Sequence, residues 1–136
     1  MPSNRKYLCL DIGMARIGVA VADSSVRIAV PYDTIPMRED EFRQDIASLV
    51  TALDISTIVL GYPRNQSGDA TKQTDYVEKH ATELNDLDVK VVFQDESLTS
   101  VLAEQRLKAR NETITKEAID AEAACIILQD YLEMHT

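Results

Sequence analysis

Four carboxylates of this sequence occupy positions where acidic side chains could bind a metal ion and take part in catalysis. Three come where an apolar run ends, and the fourth lies in the predicted last helix beside a core-facing position. They are Asp11, Asp95, Glu96 and Asp120. Ligands of open α/β sheets bind outside the carboxyl ends of the strands. Carboxylates supplied by separate elements could therefore form an all-oxygen site that suits Mg²⁺ or Mn²⁺. Such a site can activate water and stabilise the attacking and leaving oxygens of phosphodiester hydrolysis.

Each of these acids also has a purely structural interpretation. Asp11 stands shortly before Gly13 and could be a turn residue. Asp95 and Glu96 could begin a loop, and Asp120 could be an acid favoured near a helix start by the helix dipole. The spacing alone leaves open whether the acids converge.

Basic and amide side chains in two predicted turns could contact phosphate. The segment 61–68 is rich in turn formers and could present backbone N–H groups, together with Arg64 and Asn65, just ahead of a helix. It could equally be an ordinary capped loop. Arg16, at the tip of a predicted hairpin near Asp11, could contact a nucleic-acid backbone or pair with an acid.

The charge balance restricts the class of protein. The 136 residues include 14 Lys and Arg against 23 Asp and Glu, a formal net charge of −9. This excludes a polybasic nucleic-acid binder that gains affinity by counterion release, but not an enzyme that reaches phosphate through metal ions. No stretch approaches eighteen apolar residues, and residues 1–6 lead straight into a strand-like run, so neither membrane spanning nor secretion is expected. Cys9 and Cys125 are predicted to be buried free thiols of a cytoplasmic protein.

The hydrophobic periodicity predicts three strands, then alternating helices and strands, and two final helices. The predicted strands cover 7–10, 17–22, 27–31, 57–60 and 89–93. The predicted helices cover 39–53, 69–85, a span from a cap at Thr99 or Ser100 through 107, and a last one capped by Thr115. His80 is interpreted as a packing residue whose ring nitrogen is satisfied. The order predicts one α/β domain over 1–136, with a mixed sheet covered by helices.

Four blocks of the sequence resemble the motifs of the YqgF family. Its members are RuvC-like Holliday junction resolvases, now mostly regarded as pre-16S rRNA nucleases. Residues 11–23 resemble the opening D-x-G-x-x-R-I-G-V-A-x-x-D. Residues 58–68, 95–100 and 120–128 resemble the I-V-x-G-x-P…G loop, the D-E-R-L-[ST]-T segment and the D-x-x-A-A-x-x-I-L helix. The blocks occur in the family's order and span nearly the whole chain, so the set is more specific than any one block.

The resemblance implies a ribonuclease H-like fold, with a mixed five-stranded sheet flanked by helices. It also implies that Asp11, Glu96 and Asp120 are the catalytic acids that bind one or two Mg²⁺ or Mn²⁺ ions. Gly13 and Asp95 would support these acids without binding the metal. Thr99 would support the site or contact phosphate, beside the contacts expected of Arg16, Arg64 and Asn65.

The sequence departs from the family pattern at its basic positions. Ser97 stands where the family has Arg, and Met14-Ala15 replaces a small polar and basic pair. The sequence therefore keeps the family's acids but has fewer of the basic side chains that could contact the substrate. Glu122 adds a charge two residues after Asp120 and is expected to point elsewhere on the helix.

The leading functional hypothesis is a metal-dependent endonuclease that processes the 5′ end of pre-16S rRNA in ribosome biogenesis. A Holliday junction resolvase acting on branched DNA is the close alternative, since metal-centred hydrolysis does not itself read the sugar. A weakly active or inactive nucleic-acid-binding or ribosome-assembly module is the alternative of another class. The expected partners are structured nucleic acid and ribosomal precursor particles, with a monomer and a homodimer both open.

Overall fold

The computed structural model describes residues 5–63, 71–96 and 99–135, with Thr99 and Ser100 described as backbone only. Its five strands are β1 (Lys6–Ile12), β2 (Arg16–Asp23), β3 (Val30–Pro36), β4 (Thr57–Pro63) and β5 (Lys90–Glu96). Its helices are α1 (Phe42–Leu53), preceded by a 3₁₀ turn (Glu39–Glu41), α2 (Lys72–Thr82), α3 (Thr99–Ala109) and α4 (Lys116–His135). The predicted order of elements is confirmed.

The strands form one mixed sheet in the order β3-β2-β1-β4-β5. The pairs β1–β2 and β2–β3 are antiparallel, while β1–β4 and β4–β5 are parallel. The mixed five-stranded sheet implied by the resemblance is therefore confirmed. Because β1, β4 and β5 run in the same direction, their carboxyl ends meet at one end of the sheet.

The two faces of the sheet are covered by different helices. Leu8, Leu10 and Leu60 belong to the core cluster that also contains residues of α1 and α2. Cys9 and Val59, on the alternate positions of the same strands, belong to the cluster that contains residues of α4. This alternation is the reason that β1 and β4 are continuously apolar. Both cysteines are buried and free, as predicted.

The third strand lies further along the chain than predicted. The interval expected to form it, 27–31, begins inside a turn. The Asp23 carboxylate accepts from the Ser25 N–H, the Asp23 carbonyl accepts from the N–H of Arg27, and Arg27 has φ 60°. This turn occupies the chain up to Arg27, so pairing with β2 starts at Val30 and continues to Pro36. The prediction missed the turn because Asp23 was taken only as the end of a strand.

Three other boundaries differ from the prediction, and two of them are the strand ends that carry acids of the site. Strand β1 runs through Ile12, and β5 runs through Glu96, so Asp11, Asp95 and Glu96 lie in the ends of strands rather than in the loops after them. The helix predicted over 69–85 is observed as α2 from Lys72, with Thr71 in a capping box. Strand pairing extends into the polar residues because backbone hydrogen bonds do not depend on side-chain polarity.

Helix α4 begins where the sequence predicted. The Ala118 N–H donates to the Thr115 hydroxyl at 3.0 Å, a hydrogen bond that caps the first turn. The helix packs on the sheet through buried Ala124, Ile127 and Leu128. Within the described ranges, no helix is long and apolar enough to cross a membrane.

Candidate active site

Asp11 and Glu96 form a carboxyl pair at the carboxyl ends of β1 and β5. Each occupies a strand position whose side chain points toward the α4 face of the sheet, two residues beyond Cys9 in β1 and four beyond Val92 in β5. The two carboxyl groups lie close enough for each to shift the pKa of the other. Two buried carboxyl groups this close are more stable when one of them is protonated, so the pair shares a proton when no cation is bound.

The pKa values of the carboxyl pair are both raised. Burial, together with the charge and proximity of Asp11, raises the pKa of Glu96 from 4.5 to about 8. The pKa of Asp11 is raised from 3.8 to about 6 by burial, with an opposing contribution from Glu96 and a further rise from the charge of Asp120. The higher pKa of Glu96 places the shared proton on Glu96.

One oxygen of the pair has no partner. Glu96 Oε2 is buried and makes no hydrogen bond with any described residue. A buried carboxylate oxygen without a donor is costly. It is directed at Gly61 in β4, where an ideal Cβ would overlap it and would lie 2.9 Å from Ile127 Cδ1. Gly61 therefore provides the space that this oxygen occupies.

Asp120 is brought beside Asp11 by a second glycine. Gly18 of β2 is the cross-strand partner of Asp11. Helix α4 passes so close to Gly18 that a Cβ there would lie 2.5 Å from the Asp120 carbonyl carbon. The register of β1 on β2, together with this close approach, sets Asp120 near Asp11, and its charge raises the pKa of Asp11.

The carboxylate of Asp120 is held by Arg16. Arg16 Nε donates to Asp120 Oδ2 at 2.5 Å, with side chains 34% and 24% exposed. Of the two roles open for Arg16, the structure shows the pairing with an acid. Among the described residues, no three His, Cys, Asp or Glu side chains are gathered closely enough to hold a metal ion. The structure thus brings Asp11 and Glu96 together and leaves Asp120 adjacent, on Arg16.

The donor set of this site fits a divalent cation. It consists of carboxylate oxygens, the ligands that Mg²⁺ and Mn²⁺ prefer. The site lacks positive charge to balance its acids. Glu96 Oε2 has no hydrogen-bond partner among the described residues, the pKa values of Asp11 and Glu96 are raised, and the charge of Asp120 lies nearby. A cation would favour the ionised form of both members of the carboxyl pair.

The remaining predicted site residues are placed differently. Gly13 lies in the β1–β2 hairpin, where its N–H donates to the Arg16 carbonyl at 2.9 Å, so it fixes the turn that carries Arg16. Asp95 alternates with Glu96 along β5, and its side chain lies on the opposite face of the sheet. That position contradicts a supporting role beside Glu96. Thr99 begins α3, but its side chain lies outside the described residues, as do Arg64 and Asn65.

A buried ion cluster on α3 and α4 escaped the sequence analysis. Glu122 is 1% exposed; Arg110 Nη2 donates to its Oε1 at 2.5 Å, and Arg106 Nε lies 3.2 Å from its Oε2. Glu122 thus points away from Asp120, as expected, and ties α3 to α4. The signal was the pair of basic residues four apart on α3 facing an acid on α4, which no single-helix pattern reveals.

His80 satisfies the packing prediction in part. The ring is buried between Phe42 and Tyr76, with centroid distances of 4.9 and 4.7 Å. Nδ1 lies 2.5 Å from Glu83 Oε2, whereas Nε2 has no hydrogen-bond partner among the described residues. One ring nitrogen is therefore satisfied and the other is not.

The chain is similar in sequence to proteins that bear the name of a pre-16S rRNA nuclease and in fold to RuvC. A protein of Chloroflexus aurantiacus named "Putative pre-16S rRNA nuclease" is 41% identical over 130 residues, 93% of this chain and 85% of its own. A protein of the same name from Fusobacterium nucleatum is 36% identical, over 96% of this chain and 98% of its own. RuvC of T. thermophilus, solved in complex with Holliday junction substrate, superposes with a TM-score of 0.60 at 12% identity, with 97% of both chains covered.

The likeness to RuvC confirms the ribonuclease H-like fold. The model of the family described as "RuvX: Holliday junction resolvase" matches residues 5–134. That range contains all five strands, the first three helices, α4 except for its last residue, and all three acids of the candidate site. The chain therefore belongs to the RuvX family of Holliday junction resolvase-like nucleases.

Proposed function

We propose that this protein is a metal-dependent endonuclease that hydrolyses phosphodiester bonds at the 5′ end of pre-16S rRNA. The observation that carries the proposal is the carboxyl pair with its orphaned Glu96 Oε2, adjacent to Asp120. The printed names of the relatives support the choice of substrate. The protein would act in the cytoplasm, on structured RNA or on ribosomal precursor particles.

Asp11, Glu96 and Asp120 would hold one or two Mg²⁺ or Mn²⁺ ions. Bound there, the metal supplies a water nucleophile at neutral pH and charge stabilisation for the attacking and leaving oxygens. Glu96 would give up the shared proton to solvent on binding a cation, because a cation favours the ionised carboxylate. Asp120 would have to leave Arg16 to serve as a ligand. The guanidinium of Arg16 would then be available to donate to a phosphate of the substrate.

The residues around the acids hold them in position for this chemistry. Gly61 leaves room for the Glu96 carboxylate, and Gly18 lets α4 carry Asp120 to the same end of the sheet. The hydrolysis would leave a 3′-hydroxyl and a 5′-phosphate. Strands and a long helix are suited to this role because they hold side chains more rigidly than loops do.

A resolvase acting on branched DNA is the second candidate, and the description of the family favours it. The same acids would serve both reactions, so the two candidates differ in substrate and not in chemistry. A resolvase would need a symmetric pair of sites, and therefore a homodimer.

Cleavage of labelled precursor rRNA and of a four-way DNA junction, side by side with Mg²⁺ or Mn²⁺, tests the proposal. Asp11→Asn is the catalytic variant, and Asp33→Asn on the exposed edge of the sheet is the matched control. Metal-dependent cutting of the rRNA by the parent and by Asp33→Asn, lost in Asp11→Asn, is expected. Cutting of the junction alone would show that the substrate is branched DNA and not the precursor rRNA. Binding of RNA without cutting of either substrate would refute the nuclease proposal and favour a binding module.

A further inference from the structure

The two edges of the sheet differ in how they are protected against pairing. The β3 edge contains Pro31 and Pro36, and the β2–β3 ladder is interrupted by a register shift at Val19/Ala20. Prolines and irregularities of this kind block the addition of another strand. The β5 edge has neither, since its seven residues contain no proline and pair with β4 in continuous register.

A groove of about 660 Å³ runs along this β5 edge. One wall is the outer side of α2, and the other is the end of α4. Residues from both helices and from β5 line it, among them Glu78, Asn85, Phe93, Asp95 and Met134. The groove therefore lies beside a strand edge, with walls that would confine an extended chain.

An aromatic pair stands at the floor of the groove. The rings of Tyr62 and Phe93 pack edge to face with a centroid distance of 5.0 Å and an interplanar angle of 67°. Phe93 is nevertheless 44% exposed, and Met134 is 68% exposed. Large apolar side chains left exposed in one groove are typical of a surface that binds a partner.

The charge of the groove is negative. Glu78 and Asp95 line it, and the described residues that line it include no Lys or Arg. The Tyr62 hydroxyl donates to Glu78, which keeps that carboxylate beside the aromatic pair. Two carboxylates repel a phosphate backbone, whereas an aromatic face next to carboxylates attracts a guanidinium or ammonium group. The net charge of −9 acts in the same direction.

We propose that this groove binds an extended basic segment of a partner protein, which adds a strand to β5 and places an arginine or lysine side chain against Phe93 and Tyr62. Main-chain hydrogen bonds to β5 would supply affinity, and the acidic aromatic floor would select the basic side chain. This surface lies along the β5 edge of the sheet, and neither Asp11 nor Glu96 lines it. It is thus an interaction site separate from the nuclease function, and it does not depend on it.

The test uses the full chain and a synthetic peptide in which arginine alternates with valine, with a peptide that has glutamate in place of arginine as its control. Binding is measured by fluorescence anisotropy, and protection of the β5 amides by hydrogen exchange. We expect the arginine peptide to bind and to protect β5. Glu78→Lys and Phe93→Ser should each weaken binding about tenfold or more.

Asp33→Lys, on the opposite edge of the sheet, is the matched control for charge. It changes the net charge as much as Glu78→Lys does and should leave the affinity nearly unchanged. Equal weakening by both lysine variants would show unspecific attraction and overturn the proposal. Binding that leaves β5 unprotected, or protection of β5 by single-stranded RNA or by a second copy of this chain instead of the peptide, would overturn it as well. Phe93→Ser removes a half-exposed side chain, so its fold is checked by the same exchange pattern outside β5.

Discussion

Replacement of Gly18 by alanine tests whether the site depends on the close approach of α4 to β2. An added Cβ would lie 2.5 Å from the Asp120 carbonyl carbon and 3.2 Å from the Ala121 nitrogen. Both are backbone atoms of a 20-residue helix packed on the sheet, so no side chain can rotate to relieve the overlap. Helix α4 must move, and Asp120 moves with it.

The change in the free energy of unfolding of Gly18→Ala follows from two opposing effects. Overpacking a core costs about 1–3 kcal/mol, and a clash between backbones belongs at the upper end of that range. Replacing glycine inside a strand recovers roughly 0.5–1 kcal/mol of conformational free energy. The Gly18→Ala variant should therefore lose about 2 kcal/mol or more of its free energy of unfolding, measured by urea denaturation. It should also bind Mn²⁺ more weakly than the parent in titration calorimetry, because Asp120 is displaced from Asp11.

Gly61→Ala is the comparison that separates a loss of protein stability from a displacement of the acids. Its added Cβ would meet the ends of the Glu96 and Ile127 side chains, which can turn aside. We expect a smaller loss of stability than in Gly18→Ala, but a clear loss of Mn²⁺ affinity. Parental stability together with parental Mn²⁺ binding in Gly18→Ala would refute the reasoning about α4.

Three further predictions address the charges of the site. Arg16→Gln releases Asp120 from its ion pair, so Mn²⁺ should bind more tightly in calorimetry without RNA; weaker binding would mean that Arg16 supports the metal site instead of competing for it. In metal-free protein, both members of the carboxyl pair have folded-state pKa values raised above their ordinary ones, so their contribution to stability is present at low pH and is lost as the pH rises through about 6 and about 8. The free energy of unfolding in EDTA should fall by a few kcal/mol between about pH 5 and pH 9, and Glu96→Gln should flatten the profile; a flat parental profile would contradict the shared proton. Glu122→Gln leaves two arginines facing a buried neutral amide and should cost about 2–3 kcal/mol in urea unfolding, whereas Glu104→Gln, which removes an exposed pair within α3, should change little; equal losses would show that burial of the ion cluster is unimportant.

The sequence was sufficient for the sheet and for the acids because both leave local signals. Strands β1 and β4 are buried on both faces, and their continuous apolar runs predict such strands directly. Asp11 and Glu96 were noticed because they stand at the ends of the apolar runs of β1 and β5, and the resemblance to the YqgF family then assigned them as catalytic acids. The third strand was misplaced because Asp23 forms a turn through its own carboxylate and carbonyl, which the apolar pattern of 27–31 concealed.

The relations between elements could not be predicted in the same way. Nothing in the pattern of β2 shows that α4 crosses it at Gly18, since that contact joins residues about a hundred positions apart. The side of the sheet on which Asp95 lies depends on where strand β5 ends, and the prediction ended it too early. The pairing of Arg16 with Asp120 also required the fold, because both a phosphate and an acid satisfy a guanidinium.

The contribution of α4 to the candidate site also sets the time at which the site is completed. Asp11 comes from the first strand and Asp120 from the last helix. During synthesis at roughly 5–20 residues per second, several seconds separate the two residues. In that interval the sheet residues are present without the third acid, so the proposed site can be complete only after α4 has been made and has docked on the sheet.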